Sequence, residues 1–336
     1  MATYGAKALT RIAAASQSGF GTAASIGTAT GEILFNDAVG TLDLGVTLDL
    51  GEDTSVGKRT AIQAGRVAIT GKNPVVTLAE APASLRTLPL VFDAIGATTS
   101  GTAAPYTWTW SPAQGDVDTP VFYSLLVGDG VQKYLVRDAV PTEVTLSADA
   151  SGPMQAGITF GATTVSSSAL AFPTAVPAQP VLAGRLLKLS TDTNFPDKTG
   201  TGATEYDHLL SFSLSITTGM AMVNALDASL TAATADFTQA LDATLTMTVA
   251  SNAAAIANGA WGITEQAEQR YIRIYGTTSD NYGVWILGSF VIESVTPISA
   301  EQDGLIVNEV TLRLAYDATS GKSLEVIVDS PLDVAP

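Results

Sequence analysis

Alternation of apolar and polar residues with a period of two is the feature that most restricts how this chain folds. The pattern is clearest in residues 208–218 and 241–249, and it recurs in residues 41–50. Successive side chains of a strand point to opposite faces of a sheet, so the pattern is typical of strands with one buried and one polar face. The sequence therefore predicts a mainly β protein, in which residues 41–50 form one half-buried strand.

The first half of the chain contains further strand signals separated by turn residues. The Gly-Asp-Gly sequence at 128–130 tolerates positive φ angles and predicts a hairpin between strands at 121–127 and 132–139. Pro141 predicts a corner before the next strand. The other strands of this half are predicted at residues 61–70, 142–148 and 155–164.

Residues 82–96 carry the signals of a helix. Pro82 stands near the start, where its missing N–H is not needed, and Gly96 stands just past the end. Pro89 is expected to kink or shorten this helix, because proline cannot donate a backbone hydrogen bond.

Residues 165–180 have the serine- and proline-rich composition of a linker, and beyond them the same order of elements returns. The strand at 208–218 is followed by a long Ala- and Thr-rich connection at 219–240, the strand at 241–249 and a helical candidate at 252–257. Four more strands are predicted at residues 271–275, 282–287, 290–297 and 305–316. Repetition of an element order predicts an internal duplication.

The charge of the chain excludes tight binding to phosphate backbones. Lys plus Arg number 16 and Asp plus Glu number 32, giving a net charge of -16. Charged residues make up only 14% of the chain, which favours a surface covered by other copies of the protein. The chain has no Cys, and no run of 18 apolar residues predicts a membrane span.

No catalytic, cofactor-binding or metal site is predicted. The one histidine, His208, follows Asp207, but no serine stands in a nucleophile elbow. The paired carboxylates at 52–53 and at 116 and 118 are typical of solvated turns. The four tryptophans are expected to pack in a core or an interface rather than to form a sugar platform. They are Trp108, Trp110, Trp261 and Trp285.

Three stretches of the chain follow a recognisable pattern, namely residues 85–110 continuing to Pro112 and Tyr134, residues 212–218, and residues 271–317 with the sequences YIRI, EQDG and LAYD. In these stretches the chain resembles the major tail tube proteins of long-tailed, siphovirus-type bacteriophages. The resemblance spans about residues 30–330 and consists of patterns rather than one invariant motif.

The resemblance implies a mainly β fold of two tandem β-sandwich domains, each with a short flanking helix, that complete an intersubunit β-barrel. Three chains would then form a pseudo-hexameric ring, and stacked rings would form a hollow tube in the virion tail, assembled in the host cytoplasm, for DNA ejection. The expected segments are an arm at 1–30, domains at 31–165 and 185–330, a linker at 166–184 and a tail at 331–336.

The resemblance also implies the partners of the chain and the surfaces that meet them. They are further copies of itself, the tape measure, tail terminator and baseplate or tip proteins, and DNA that passes without specific binding. Acidic side chains are expected to line the channel, with Asp43, Asp49 and Asp207 as candidates. The loops at 51–60 and 219–240 are expected to reach the next ring, with Asp53, Lys58 and Arg59 as contact candidates.

Two other functions are compatible with the sequence. A surface or secreted β-sandwich module that binds a protein or a carbohydrate would be a monomer with an exposed aromatic patch. A glycan-cleaving enzyme would need two carboxylates facing one cleft, about 5 to 9.5 Å apart.

Overall fold

The computed structural model describes residues 11–27, 32–34, 40–50, 67–112, 120–129, 131–174, 178–206, 209–225, 229–250, 269–302 and 305–333. Within these ranges the protein is mainly β, as the alternation predicts, with one short helix, α1 (Leu88–Asp93), and a 3-10 turn at Gly184–Leu186. The strands in chain order are β1 (Arg11–Ser16), β2 (Glu32–Ile33), β3 (Gly40–Asp43), β4 (Val46–Asp49), β5 (Ala68–Lys72), β6 (Val75–Pro82), β7 (Thr98–Ser100), β8 (Tyr106–Trp110), β9 (Tyr123–Gly128), β10 (Lys133–Asp149), β11 (Gln155–Gly161), β12 (Thr164–Ser167), β13 (Lys188–Asp192), β14 (Thr204–Tyr206), β15 (Leu209–Thr217), β16 (Met220–Val223), β17 (Thr234–Phe237), β18 (Asp242–Ala250), β19 (Gln269–Thr277), β20 (Gly283–Gln302), β21 (Leu305–Leu314) and β22 (Leu324–Ser330).

Eight antiparallel strands form a central sheet that runs through both halves of the chain. Their pairing order is β3, β6, β11, β10, β15, β18, β21 and β20. The two halves of the chain join where β10 pairs with β15, from Glu143 opposite Thr217 to Asp149 opposite Ser211.

Two smaller sheets cover one side of the central sheet. The first outer sheet has the order β2, β1, β9, β10 and β12, and the second has the order β14, β13, β19, β20, β22, β8 and β7. Inward side chains from all three sheets form one hydrophobic core, which includes Ile12, Leu146 and Ile274. Helix α1 adds Phe92, whose ring lies 5.4 Å from that of Trp110.

The long strands β10 and β20 each belong to two sheets. β10 pairs with β9 and β12 in its first part, and from Val140 onward it pairs with β11. The change of partners follows Asp138, which has a φ of 54°, and a register shift lies between Pro141 and Glu143. β20 likewise leaves β22 at Gly288 and pairs with β21 from Phe290.

The predicted hairpin at 128–130 is confirmed, since Gly128 pairs with Lys133 across β9 and β10. Pro141 lies at the bend between two sheets, although the strands predicted at 132–139 and 142–148 are one continuous strand. The separate strands predicted at 282–287 and 290–297 are also one strand. Register shifts let a strand bend without ending, and the sequence did not indicate that continuity.

The helix predicted at 82–96 is too long. Residues 75–82 form β6, and α1 starts at Leu88 with Pro89 in its first turn, so Pro89 opens the helix rather than kinking it. Gly96 follows the helix with a φ of 97°, as expected for a glycine past its end. The helix predicted at 252–257 lies outside the described residues.

The predicted single strand at 41–50 is wrong in two respects. Gly45 has a φ of 57° and separates β3 from β4, and a Cβ at this position would collide with the backbone of Asn73. β4 is exposed on both faces rather than half-buried, because it pairs only with β5 in a two-stranded hairpin. A second hairpin, β16 with β17, occupies the predicted connection at 219–240.

Residues near both limits of the described part of the chain contact its interior. β1 pairs with β9 along its whole length, from Arg11 opposite Gly128 to Ser16 opposite Tyr123. Near the other end, the Trp108 indole donates a 2.8 Å hydrogen bond to the carbonyl oxygen of Leu332. β12 pairs with β10 inside the predicted linker. The division into domains stays a prediction.

Candidate functional site: the polar face of the central sheet

The central sheet has one face in the core and one face covered with polar side chains. In β10, Val144 and Leu146 are buried. Thr145 and Ser147, which alternate with them along the strand, face the other way and are partly exposed. The same alternation continues in β15 and β18. We call the second face the polar face, and it is the largest uninterrupted functional candidate among the described residues.

Hydroxyl side chains form registered rows across the polar face. Residues that pair directly across antiparallel strands lie on the same face of a sheet. One row crosses five neighbouring strands and contains only Ser147, Ser213, Thr246, Thr311 and Ser294. The sheet therefore presents a row of uncharged, hydrogen-bonding side chains across these five strands.

The charges on the polar face are almost all negative. The acidic residues of these strands on that face are Asp43, Glu80, Glu143, Asp149, Asp242, Glu293 and Glu309. Arg313 is the one basic residue that the described parts of the eight strands place there. The polar face is therefore acidic as well as hydroxyl-rich.

Arg313 is paired with an acid of the neighbouring strand. Its Nε donates a 3.3 Å hydrogen bond to Oδ1 of Asp242, and its Nη2 donates to Oδ2 of the same carboxylate. This hydrogen bonding, together with the charges of Asp242 and Glu293, raises the pKa of Arg313 above its ordinary value.

The predicted channel residues do not all lie together. Asp43 lies on the polar face at the edge strand β3 and is exposed. Asp49 lies on the β4–β5 hairpin, beyond the sheet. Asp207 and the contact candidates Asp53, Lys58 and Arg59 lie outside the described residues.

Both margins of the central sheet have an edge without a strand partner in the described part of the chain. β3 pairs with β6 alone, and β20 beyond Ile292 pairs with β21 alone. An edge strand exposes backbone N–H and C=O groups that can pair with another chain. The sheet can therefore be extended on both sides by strands of other molecules.

The hairpins β4–β5 and β16–β17 extend from the same end of the central sheet. They follow β3 and β15, and the base of the first hairpin meets the loop of the second, where the Lys72 N–H donates to the Leu230 carbonyl over 2.7 Å. Leu48 and Ile69 pair on one face of the first hairpin and are 48% and 42% exposed. Such an apolar face on a projecting hairpin is typical of a contact surface.

The described residues give little support to a catalytic, carbohydrate-binding or metal-binding site. A cleft of about 360 Å³ lies beside the end of β10, the start of β15 and residues 184–188, and among its described lining residues the one carboxylate is Asp149, whose side chain accepts hydrogen bonds in its own turn. Trp108, Trp110 and Trp285 are buried, which confirms the packing interpretation for these three. The described residues contain no group of three or more potential metal ligands, and His208 lies outside them.

The hydroxyl rows were not predicted as a site, although a signal exists in the sequence. In residues 211–217 and 242–248 nearly every polar position is Ser or Thr rather than a charged residue. A solvated sheet face usually includes lysine and glutamate, so a run of hydroxyl side chains indicates a face whose surroundings differ from bulk solvent. The Asp242–Arg313 contact joins residues distant in sequence and needs the strand order to be known.

Comparison with protein-family models gives no match, and comparison with curated proteins gives none either. Among the described residues, no helix has the length and apolar character needed to cross a membrane.

Proposed function

We propose that this protein is a structural, non-enzymatic subunit of a tail tube, and that three copies form a ring around a channel for phage DNA. One observation carries the proposal. In the part of the chain that the structure describes, the central sheet has a core face, a polar face and edges at β3 and β20 without a strand partner, which is the form required of a segment of a larger barrel.

The strand order supports a duplicated unit. The first half contributes β3, β6, β11 and β10 to the central sheet, and the second half contributes β15, β18, β21 and β20. In each half the first two strands are separated by a hairpin, and the last strand is a long one shared with an outer sheet. Each chain would thus supply two equivalent sixths of a pseudo-hexameric ring.

The number of strands favours several copies per ring. A barrel of about eight strands has an interior filled by side chains, and barrel diameter grows roughly linearly with strand number. Three copies give roughly 24 strands and, at about 4.8 Å between strands and about 40° of tilt, a backbone diameter of about 48 Å. A barrel of this size has an open channel.

The polar face suits a channel that DNA passes without binding. Its acids repel phosphates, and its Ser and Thr hydroxyls offer no charge that would release counterions from DNA. The hairpins at one end of the sheet would contact the next ring, and the exposed Leu48–Ile69 face would be covered there.

A β-sandwich binding module remains the alternative function, and it receives less support. It would need an exposed aromatic patch, whereas Trp108, Trp110 and Trp285 are buried.

The proposal is tested by the assembly state of the purified chain. Negative-stain microscopy and sedimentation should reveal rings or hollow tubes, and persistent monomers at every salt concentration would overturn it. Thr41→Pro and Thr296→Pro remove a backbone N–H from one edge strand each, so either should block ring closure. Thr41→Val and Thr296→Val keep the N–H and should still assemble.

A further inference from the structure

Arg313 is the exception on an otherwise acidic and hydroxyl-rich face. On β21 it pairs with Thr244 of β18 and with Val291 of β20, so it lies one strand in from the β20 margin, near the end of its own strand. Arginine is the side chain best suited to bind phosphate, because its guanidinium group offers paired donors. An arginine without an acidic partner here would add a phosphate-binding cation to a face that is otherwise acidic or uncharged.

Asp242 occupies the position that neutralises this arginine. It lies on β18 two residues before Thr244, the direct partner of Arg313, and the diagonal across an antiparallel pair is within reach of a long side chain. Both oxygens of its carboxylate accept from the guanidinium group, and Glu293 lies near enough to act on the same charge. One of the two paired-donor edges of Arg313, formed by Nε and Nη2, is therefore engaged, and the carboxylate offsets the positive charge.

Stability does not explain the contact. The side chains of Arg313 and Asp242 are 56% and 41% exposed. Exposed ion pairs add little to folding, since solvent screens the charges and two long side chains lose freedom. Replacing either residue should leave the fold intact.

We propose that Asp242 shields Arg313 from DNA phosphates and so keeps the wall of the channel free of cationic binding points. This inference rests on the proposed function, in which the polar face lines a channel for DNA. Asp242 is a positioning residue that acts through Arg313. In a three-copy ring, loss of Asp242 from every copy would expose three arginines per ring, and every stacked ring would repeat them.

The test compares the Asp242→Asn variant with Glu309→Gln as a matched control. Both substitutions remove one negative charge from the same face, but only the first frees Arg313. Linear duplex DNA is incubated with the protein, and the bound fraction is measured over a series of salt concentrations. Asp242→Asn should bind DNA at low salt, and its affinity should fall roughly threefold per contacted phosphate between 50 and 200 mM salt.

The double variant Asp242→Asn with Arg313→Gln completes the test. It should lose the added binding, because the freed cation has been removed. Equal behaviour of Asp242→Asn and Glu309→Gln would overturn the proposal, as would DNA binding that persists in the double variant.

Binding is measured both on assembled tubes and on the unassembled chain, where the polar face is open. Failure to form tubes would count against the proposed function alone. The difference between the two single variants on the unassembled chain would still decide the role of Asp242.

Discussion

The hydroxyl of Tyr123 donates a 2.6 Å hydrogen bond to Oδ2 of Asp93, which ties β9 to the end of α1. Burial raises the pKa of Asp93 above its ordinary value of 3.8, and the hydrogen bond from Tyr123 opposes that shift. Burial, together with the charge of Asp93, raises the pKa of the Tyr123 phenol well above its ordinary value. The Tyr123 hydroxyl therefore stays protonated and donates a hydrogen bond to the partly buried Asp93 carboxylate.

Tyr123→Phe should lower the free energy of unfolding by about 1 to 3 kcal/mol at pH 7, because it leaves the Asp93 carboxylate without its donor. A carboxyl group with a raised folded-state pKa contributes stability that is present below its unfolded pKa and lost as pH rises through the folded pKa. The loss of unfolding free energy caused by Tyr123→Phe should therefore be smaller at pH 4 than at pH 7. Urea unfolding at both pH values measures it, with Tyr134→Phe, which removes no such hydrogen bond, as the control. A deficit independent of pH would contradict this account.

The pair between Arg86 and Glu32 should be worth more than the exposed ion pairs. Arg86 Nη2 lies 2.6 Å from Glu32 Oε1, and the side chains are only 19% and 11% exposed. Arg86→Met leaves a largely buried carboxylate without a partner and should cost about 3 kcal/mol in unfolding experiments. Lys188→Met, which disrupts the exposed pair with Glu205, should cost less than about 1 kcal/mol. Similar losses in the two variants would refute the distinction.

Asp138 should be sensitive to substitution because it fixes the bend of β10. It is buried with a φ of 54°, its Oδ1 accepts a 2.6 Å hydrogen bond from the Gly21 N–H, and its Oδ2 accepts from the Thr163 hydroxyl. Asp138→Ala loses both acceptors and places an alanine at positive φ, so a loss of about 3 kcal/mol is expected in thermal or urea unfolding. Asp138→Asn should lose less, since asparagine tolerates this φ and keeps an acceptor. The reverse order would show that neither the bend nor the acceptors matter.

The apolar face of the β4–β5 hairpin should be required for stacking but not for ring closure. Leu48→Asp places a charge on that face, whereas Ala68→Asp places the same charge on the opposite face of the same hairpin. Microscopy should show separate rings for Leu48→Asp and long tubes for Ala68→Asp. Both residues are exposed in the single chain, so both variants should melt near the unsubstituted protein. Long tubes from Leu48→Asp would exclude the hairpin face from the ring contact.

Periodicity predicted the strands whose two faces differ. β15 and β18 lie within one residue of the predicted limits because each has one core face and one polar face. β4 has the same alternation as these strands, but it is exposed on both faces since no layer covers its apolar side. An alternating pattern describes which residues can be buried, and only tertiary structure decides whether they are.

The continuity of β10 and β20 could not be predicted from local signals. Pro141 and Pro297 each indicate a strand end, yet both lie within long strands beside register shifts. The acidic character of the polar face follows from the composition, and Asp43 lies on that face, while its place in a channel stays a prediction. The pairing of Asp242 with Arg313 depends on the order β18 beside β21, which no local pattern encodes.

Because β10 and β20 are members of two layers at once, neither layer can separate without breaking hydrogen bonds in the other. In the proposed tube, force applied to the polar face of the central sheet would be carried along these two strands into the two outer sheets instead of being confined to side-chain contacts. A conduit built from such subunits would resist internal pressure with covalent backbone as well as with packing.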